Sequence, residues 1–357
     1  MKNLIITFCN TSNYGAILQA YALQHILNQK NETYLLNYDL CKPKENKTLL
    51  RKFISSIINI IFKQKFKRFL RKNSLVTHKI DSIKLLEKEV VKYNNVICGS
   101  DQVWNIDITK KDSSIFMLDF DMPENINRFS YAASFGTKKI SDTAKEKLKK
   151  VLPKYKKISV REESAKTILK EIGFENVDVV LDPTLLLEKQ EWNKICKKNE
   201  INEQYIFIYC LEDTLEFRKT VDYIANKLNL PIVDMCRKKR FKSKTINKPY
   251  IGPDEFVSLI KNAEFIITNS FHGTVFSILF EKKFITIEHT TRGTRQKNIL
   301  KKLGLDDRLC SNVDKNKINK CLESTINYVD VNEKLSKERR KALKFIDYIG
   351  EKKKDNE

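Results

Sequence analysis

EFIITNSFHGTVFSILFEKKFITIE, Glu264 to Glu288, decides how the rest of the chain is read. Its two ends, EFIIT and KFITIE, are short runs rich in Ile and Phe with polar flanks, and each predicts a strand. The segment between them predicts a helix from about His272. A strand, a short loop, a helix and a second strand in so few residues form the repeating unit of a parallel sheet with helices on its faces.

The same alternation extends in both directions. Toward the N-terminus of this region lie the strand YIFIYCL from Tyr205, a helix near 213–228, the strand PIVDMC and the helix PDEFVSLIKNA; beyond it comes the helix RQKNILKKLG. The chain itself opens with a strand, LIITF, a loop, CNTSNYG, and a helix from about Ala16 to Asn28 with Ala16, Ala20, Leu23 and Leu27 on one face. Three further β-rich runs end in small or polar residues: NNVICGSDQVWN (94–105), RFSYAASFG (128–136) and KISVREESA (157–165). Asp182-Pro183 breaks the run VDVVLDPTLLL, and the polar stretch from Glu188 to Gln204 reads as the approach to a second domain. The expected organisation is an N-terminal α/β domain over 1–187, a C-terminal Rossmann-like domain over 188–330, and a helix with a polar tail over 331–357. The fold class is α/β. Two Rossmann-like domains resemble a GT-B-like arrangement, with the active site expected in the interdomain cleft.

Composition narrows the function. With 357 residues the chain suits two domains. Its 67 Lys and Arg against 45 Asp and Glu give a net charge of +22, which favours anionic partners. The aromatic residues follow strand and core patterns without a basic-aromatic module, so no nucleic-acid partner is expected. The eight cysteines form no CxxC pair and several sit in apolar runs, as in a reducing compartment. No apolar run reaches the roughly 18 residues of a spanning helix, and the N-terminal apolar run is too short for a signal peptide. A cytoplasmic protein is expected. Residues 49–72, LLRKFISSIINIIFKQKFKRFLRK, combine aliphatic and aromatic residues with eight Lys and Arg. Such a helix can lie on the inner face of an anionic membrane, or it can pack its apolar face on the domain.

The usual phosphate signatures are missing: there is no GxxxxGK[ST], and no GxGxxG follows the first strand. Asp119 and Asp121 form a DxD, a spacing common by chance, and no metal is expected. His272 is expected where a strand's carboxyl end meets a helix N-terminus. Ligands bind there in open α/β sheets, the helix end favours anions, and an imidazole can exchange a proton with what is bound. A histidine merely satisfied at a helix cap is the alternative. Arg161, Arg292 and Arg295 are also predicted at strand ends, where a guanidinium suits phosphate. In CGSDQVWN, Ser100, Asp101, Gln102 and Trp104 could line a sugar site, or Asp101 could cap a turn with Trp104 in the core.

Taken together, NYGAILQAYALQ, CGSDQVWN, SYAASFG, SVREESA, LDPTLLL and TNSFHGTVFSILF resemble the polysaccharide pyruvyl transferase family in order and approximate spacing, over roughly residues 3–305. The resemblance implies transfer of pyruvate from phosphoenolpyruvate to a sugar of a surface polysaccharide, such as capsule or exopolysaccharide, or of its lipid-linked oligosaccharide precursor, giving a cyclic ketal. Phosphoenolpyruvate enters as co-substrate and no cofactor is expected. His272 occupies the position of the family's general acid, and Arg161 that of an arginine holding the donor. Ser270, Gly273, Thr274, Arg292 and Arg295 complete the expected donor side, in the second domain. Asn13, Tyr14, Gly15, Ser100, Gln102 and Trp104 form the expected acceptor side, with Asp101 as base for the sugar hydroxyls. Some family branches carry an arginine where this chain has Ser270, so a second cationic contact must come from elsewhere. The rival reading of the same fold is a GT-B-type glycosyltransferase using a nucleotide sugar.

Overall fold

The computed structural model describes residues 1–38, 49–290, 293–310 and 314–351. The chain divides into two compact units, Met1–Leu187 with Glu338–Glu357, and Glu188–Lys337. Both are α/β units built on a single parallel sheet.

The first unit contains β1 (Lys2–Ile6), β2 (Glu32–Tyr38), β3 (Val76–Ile80), β4 (Asn95–Cys98), β5 (Asn127–Ala133), β6 (Tyr155–Val160) and β7 (Val177–Val179), in the spatial order β3-β2-β1-β4-β5-β6-β7. Every pairing is parallel. The order reverses between β1 and β4, so the connections after these two strands diverge there and leave room at their carboxyl ends. Helix α1 (Tyr14–Asn28) follows β1 and is buried along nearly its whole length. A row of amides binds the opposite end of the sheet. Asn127 Nδ2 donates to Asn95 Oδ1 at 2.9 Å, Asn95 Nδ2 to Asn3 Oδ1 at 2.9 Å, and Asn3 Nδ2 to Thr33 Oγ1 at 3.1 Å. Asn3, Thr33 and Asn95 are buried, and with the half-buried Asn127 they satisfy one another across four strands.

The second unit contains β8 (Ile206–Tyr209), β9 (Ile232–Asp234), β10 (Thr245–Asn247), β11 (Phe265–Thr268), β12 (Lys283–Ile287) and β13 (Leu309–Cys310), in the order β10-β9-β8-β11-β12-β13. This sheet too is parallel throughout. Here the order reverses between β8 and β11. β10 and β13, three and two residues long, have too little periodicity to be seen in sequence.

Helix α2 (Leu49–Asn73) lays its aromatic stripe on α1, with Phe62 and Phe66 beside Tyr14 and Phe69 beside Tyr21. The packing alternative for this segment is therefore realised, and its other face stays in solvent. The C-terminal helix, Tyr328–Gly350, begins earlier than the separate tail expected from 331. Its later residues belong to the first unit, where Phe345 meets Tyr131, Tyr348 meets Phe129, and Asn95 Nδ2 donates to the Ile349 carbonyl.

Trp104 corrects an expectation. It is 0% exposed and packs on Phe135 and Tyr155 in the first unit's core, so its indole has no face to offer a sugar. Trp104→Ala should cost about 3–5 kcal/mol, the range for deleting a buried tryptophan. Urea unfolding followed by circular dichroism reads this, and a loss under about 1 kcal/mol would contradict the core placement.

Candidate functional site

In the second unit the reversal point is framed by the loops after β8 and β11. Asn269 stitches them together. Its Oδ1 accepts from Leu211 N at 2.7 Å, its Nδ2 donates to the Glu212 carbonyl at 2.7 Å, and its own carbonyl accepts from Gln296 Nε2 at 3.0 Å. Glu212 in turn accepts from Thr290 N at 2.9 Å and lies 3.4 Å from His289 Nδ1. Burial pushes the Glu212 carboxyl up, but the Thr290 hydroxyl and amide outweigh it and hold it below the usual carboxylate range.

The helix Phe271–Leu279 starts at this point, with Ser270 as its extended N-cap. It can start so close to β11 only because position 273 is glycine. A Cβ there would lie 2.2 Å from Thr268 Oγ1, which is already donating to the Tyr209 carbonyl and accepting from Ser270 N. Gly273 therefore serves close approach. Thr274, expected on the donor side, is 0% exposed; its hydroxyl donates to the Ser270 carbonyl and lies 2.9 Å from Thr286 Oγ1, so the structure commits it inward.

His272 occupies the first turn, in the region where a helix presents its amides and the positive end of its dipole. It is 6% exposed and meets Phe271 edge to face. Phe271 also carries Arg295, whose guanidinium lies 5.6 Å from the ring centroid. One aromatic ring thus supports both the imidazole and a cation beside a helix N-terminus, an arrangement suited to an anion. Arg292 lies outside the described residues.

The first unit carries a different chemistry at its own reversal point. After β4 the backbone turns through Asp101 at φ 83, a left-handed conformation unusual for aspartate and common at functional sites. The turn is held by the Asp101 carbonyl, which accepts from Val103 N at 2.8 Å and Ser134 N at 3.0 Å, and by Gln102 N donating to Oδ1 at 2.9 Å. Thr7 Oγ1 donates to the Ser100 carbonyl at 2.7 Å, tying the loop after β1 to the loop after β4. Asn13 caps α1 by accepting from Ala16 N, Tyr14 is buried against Phe62 and Phe66, and Gly15 is buried in the same turn. Gln102 is buried against Gly136, whose φ of +69 and lack of a Cβ make room for the amide.

Arg161, at the end of β6, is buried among three carboxyl groups. Nη1 donates to Asp182 Oδ2 at 2.8 Å, while Asp101 lies at 3.7 Å and Glu162 at 3.6 Å. Burial opposes the guanidinium charge, and Asp182, Glu162 and Asp101 outweigh it, so its pKa is raised. Asp182 also accepts from Ser100 Oγ at 3.3 Å and from Thr184 N and Oγ1, and Ser134 Oγ donates to Glu162. A donor phosphate approaching this arginine would meet an acid-rich surround. Sequence reasoning singled out neither Glu162 nor the pairing of Asp182 with Arg161. The only signals were the second residue of REE and the aspartate before Pro183.

Asp119 of the DxD lies 3.5 Å from Lys150 and 3.8 Å from Lys154. Among the described residues no three His, Cys, Asp or Glu side chains could together hold a metal ion.

Comparison with known proteins agrees with this architecture. The family model described as Polysaccharide pyruvyl transferase matches residues 13–291. No curated protein matches the chain. Among solved structures it is similar to S. aureus MnaA in complex with UDP, at 12% identity and a TM-score of 0.56, over 98% of this chain and 97% of that one. A UDP-GlcNAc 2-epimerase from Methanocaldococcus jannaschii gives 17% identity and 0.52 over 98% and 100%. A UDP-glucosyltransferase from Polygonum tinctorium gives 9% and 0.54 over 98% and 97%. At these identities the likeness is one of fold, and the fold class is that of GT-B epimerases and glycosyltransferases.

Removing Arg161 should expose how tightly its cluster is bound. Arg161→Met leaves Asp101, Glu162 and Asp182 facing one another and should cost about 3–5 kcal/mol, the penalty for breaking a buried ion pair. Arg161→Lys should recover only part of it, because an ammonium cannot fork to several carboxylates. Denaturant unfolding of the two variants is the check, and equal stability with the parent would show that the cluster is not held by this charge.

Proposed function

We propose that this chain, which belongs to the polysaccharide pyruvyl transferase family, moves pyruvate from phosphoenolpyruvate to two hydroxyls of one sugar residue as a cyclic ketal. The observation that carries this reading is the second unit's helix N-terminus, with His272 in its first turn and Arg295 on the same Phe271 ring. These are the groups a small, highly charged enol phosphate needs: amide donors, a cation and a proton source.

In this reading His272 delivers a proton to the methylene carbon of phosphoenolpyruvate, which becomes the methyl group and leaves its neighbour electrophilic. A sugar hydroxyl forms a C–O bond to that carbon and loses its proton to a base. The C–O bond to phosphate then breaks, a second hydroxyl of the same sugar closes the ketal, and its proton is lost in turn. Of the two hydroxyl protons, one balances the proton placed on the methyl carbon and the other leaves with phosphate. Arg161 is assigned to holding Asp101 and Asp182 in place, and Arg295 to the donor. The acceptor is a sugar of a surface polysaccharide or of its lipid-linked precursor, met by the loops around Asn13 and Ser100.

The nucleotide-sugar alternative has the fold in its favour. Against it, Asp234 at the carboxyl end of β9, where dinucleotide folds place an acid for ribose hydroxyls, is taken up by Arg240 through two hydrogen bonds of 2.9 and 2.6 Å.

Thermal unfolding separates the two. A ligand at a hundred times its Kd adds about 2.7 kcal/mol, or roughly 5–10 °C for units of this size. Phosphoenolpyruvate should produce such a shift and UDP-sugars should not; the reverse result would replace pyruvyl transfer with glycosyl transfer. With an active acceptor, His272→Ala should lower kcat roughly 100- to 10,000-fold, and a loss below about threefold in folded protein would remove His272 from the chemistry.

A further inference from the structure

The exposed face of α2 is used by neither sheet's chemistry. Leu49–Asn73 contains eight Lys and Arg and no Asp or Glu, so none of its cations has an acidic partner within the helix. Phe62, Phe66 and Phe69 point to α1, whereas Ile60, Gln64, Lys67, Arg68 and Arg71 fall on the opposite side at 3.6 residues per turn, with Ile61, Lys65 and Lys72 on the flank. Ile60 and Ile61 are each 56% exposed, and Ile61 lines an open depression with Lys65, Arg68, Arg71 and Lys72. So many like charges on one helix repel one another, a cost that an oppositely charged surface would relieve.

The direction of α2 adds a second observation. Tyr14 touches Phe62 and Phe66, and Tyr21 touches Phe69, so α1 and α2 run the same way. Ile60 and Ile61 therefore lie toward the start of α1, at the end of the sheet where the loops after β1 and β4 diverge.

We propose that this face docks on an anionic bilayer surface, its cations against lipid headgroups and Ile60 and Ile61 pressed into the interface. Charge complementarity selects the occupant: a basic stripe bordering two exposed isoleucines fits a surface that is acidic at the headgroups and apolar beneath. No described helix is long and apolar enough to cross a membrane, so the contact is peripheral. The proposal does not depend on pyruvyl transfer, because partition onto lipid requires no turnover.

The full chain is sedimented with phosphatidylcholine vesicles that either contain or lack phosphatidylglycerol, at low and physiological salt. Each Lys or Arg near an acidic surface contributes about fivefold to partition. Lys67→Gln/Arg68→Gln/Arg71→Gln/Lys72→Gln should therefore weaken binding to the acidic vesicles at least 100-fold, with thermal unfolding unchanged because all four side chains are exposed. Ile60→Ser/Ile61→Ser should weaken it at least threefold at physiological salt, where a purely electrostatic contact would not respond. Equal binding to neutral and acidic vesicles, or a quadruple variant that binds like the parent, overturns the proposal. So does a protein that ignores both vesicles yet loses affinity for single-stranded nucleic acid in the quadruple variant, which would make the face a general polyanion surface.

Discussion

The second unit is organised around a contact that leaves no room for a side chain. Thr268 Oγ1 bonds both the Tyr209 carbonyl and Ser270 N, locking β11 to β8 and fixing where the next helix begins. With a Cβ at position 273 the helix would have to move away, since the atom would sit 2.2 Å from that hydroxyl. Glycine at 273 brings the first turn down onto the sheet, and His272 is carried with it. The imidazole's position is therefore set by backbone packing among its neighbours, with the Phe271 ring edge to face against it. A site held in this way is pre-organised by the same contacts that close the core.

The first unit repeats the topology and inverts the electrostatics. Both sheets reverse order next to their first strand, and both put polar residues at the reversal. In the second unit these are a helix N-terminus, an imidazole and Arg295; in the first they are Asp101, Glu162 and Asp182 around Arg161. The left-handed turn at Asp101 stores strain that only the surrounding hydrogen bonds sustain. Each unit thus carries its own electrostatic character at its own reversal point.

Much of this was legible in the sequence, because strands buried on both faces announce themselves as short apolar runs and their helices as periodic ones. The segment 264–288 gave strand, helix and strand in their observed order, and the helix began one residue before His272. What escaped had physical reasons. β10 and β13 are too short for periodicity and exist because neighbouring strands offer them an edge. Ser100 and Arg161 meet Asp182 from 82 and 21 residues away, and no local pattern reports such a pairing. Trp104 misled for the opposite reason: an indole beside small polar residues has the composition of a sugar platform, and only its burial shows that it is core. Arg161 was found for its position at a strand end, but its partners follow from tertiary contacts alone.

The net charge of +22 can be read in the same way. Spread evenly over the surface it would favour solubility and weak attraction to any polyanion. It is not spread evenly, because α2 carries eight cations without one acid, while the cluster at Arg161 holds three carboxyl groups around one guanidinium. Attraction to a charged surface falls off within about 10 Å at 0.1 M salt, so what matters is which face carries the charge. In α2 that face is directed away from α1 and begins at the end of the sheet that holds the loops after β1 and β4. A protein whose acceptor is carried on a lipid would gain from that geometry, since holding the chain at the bilayer replaces a search through solution with one confined to the membrane surface.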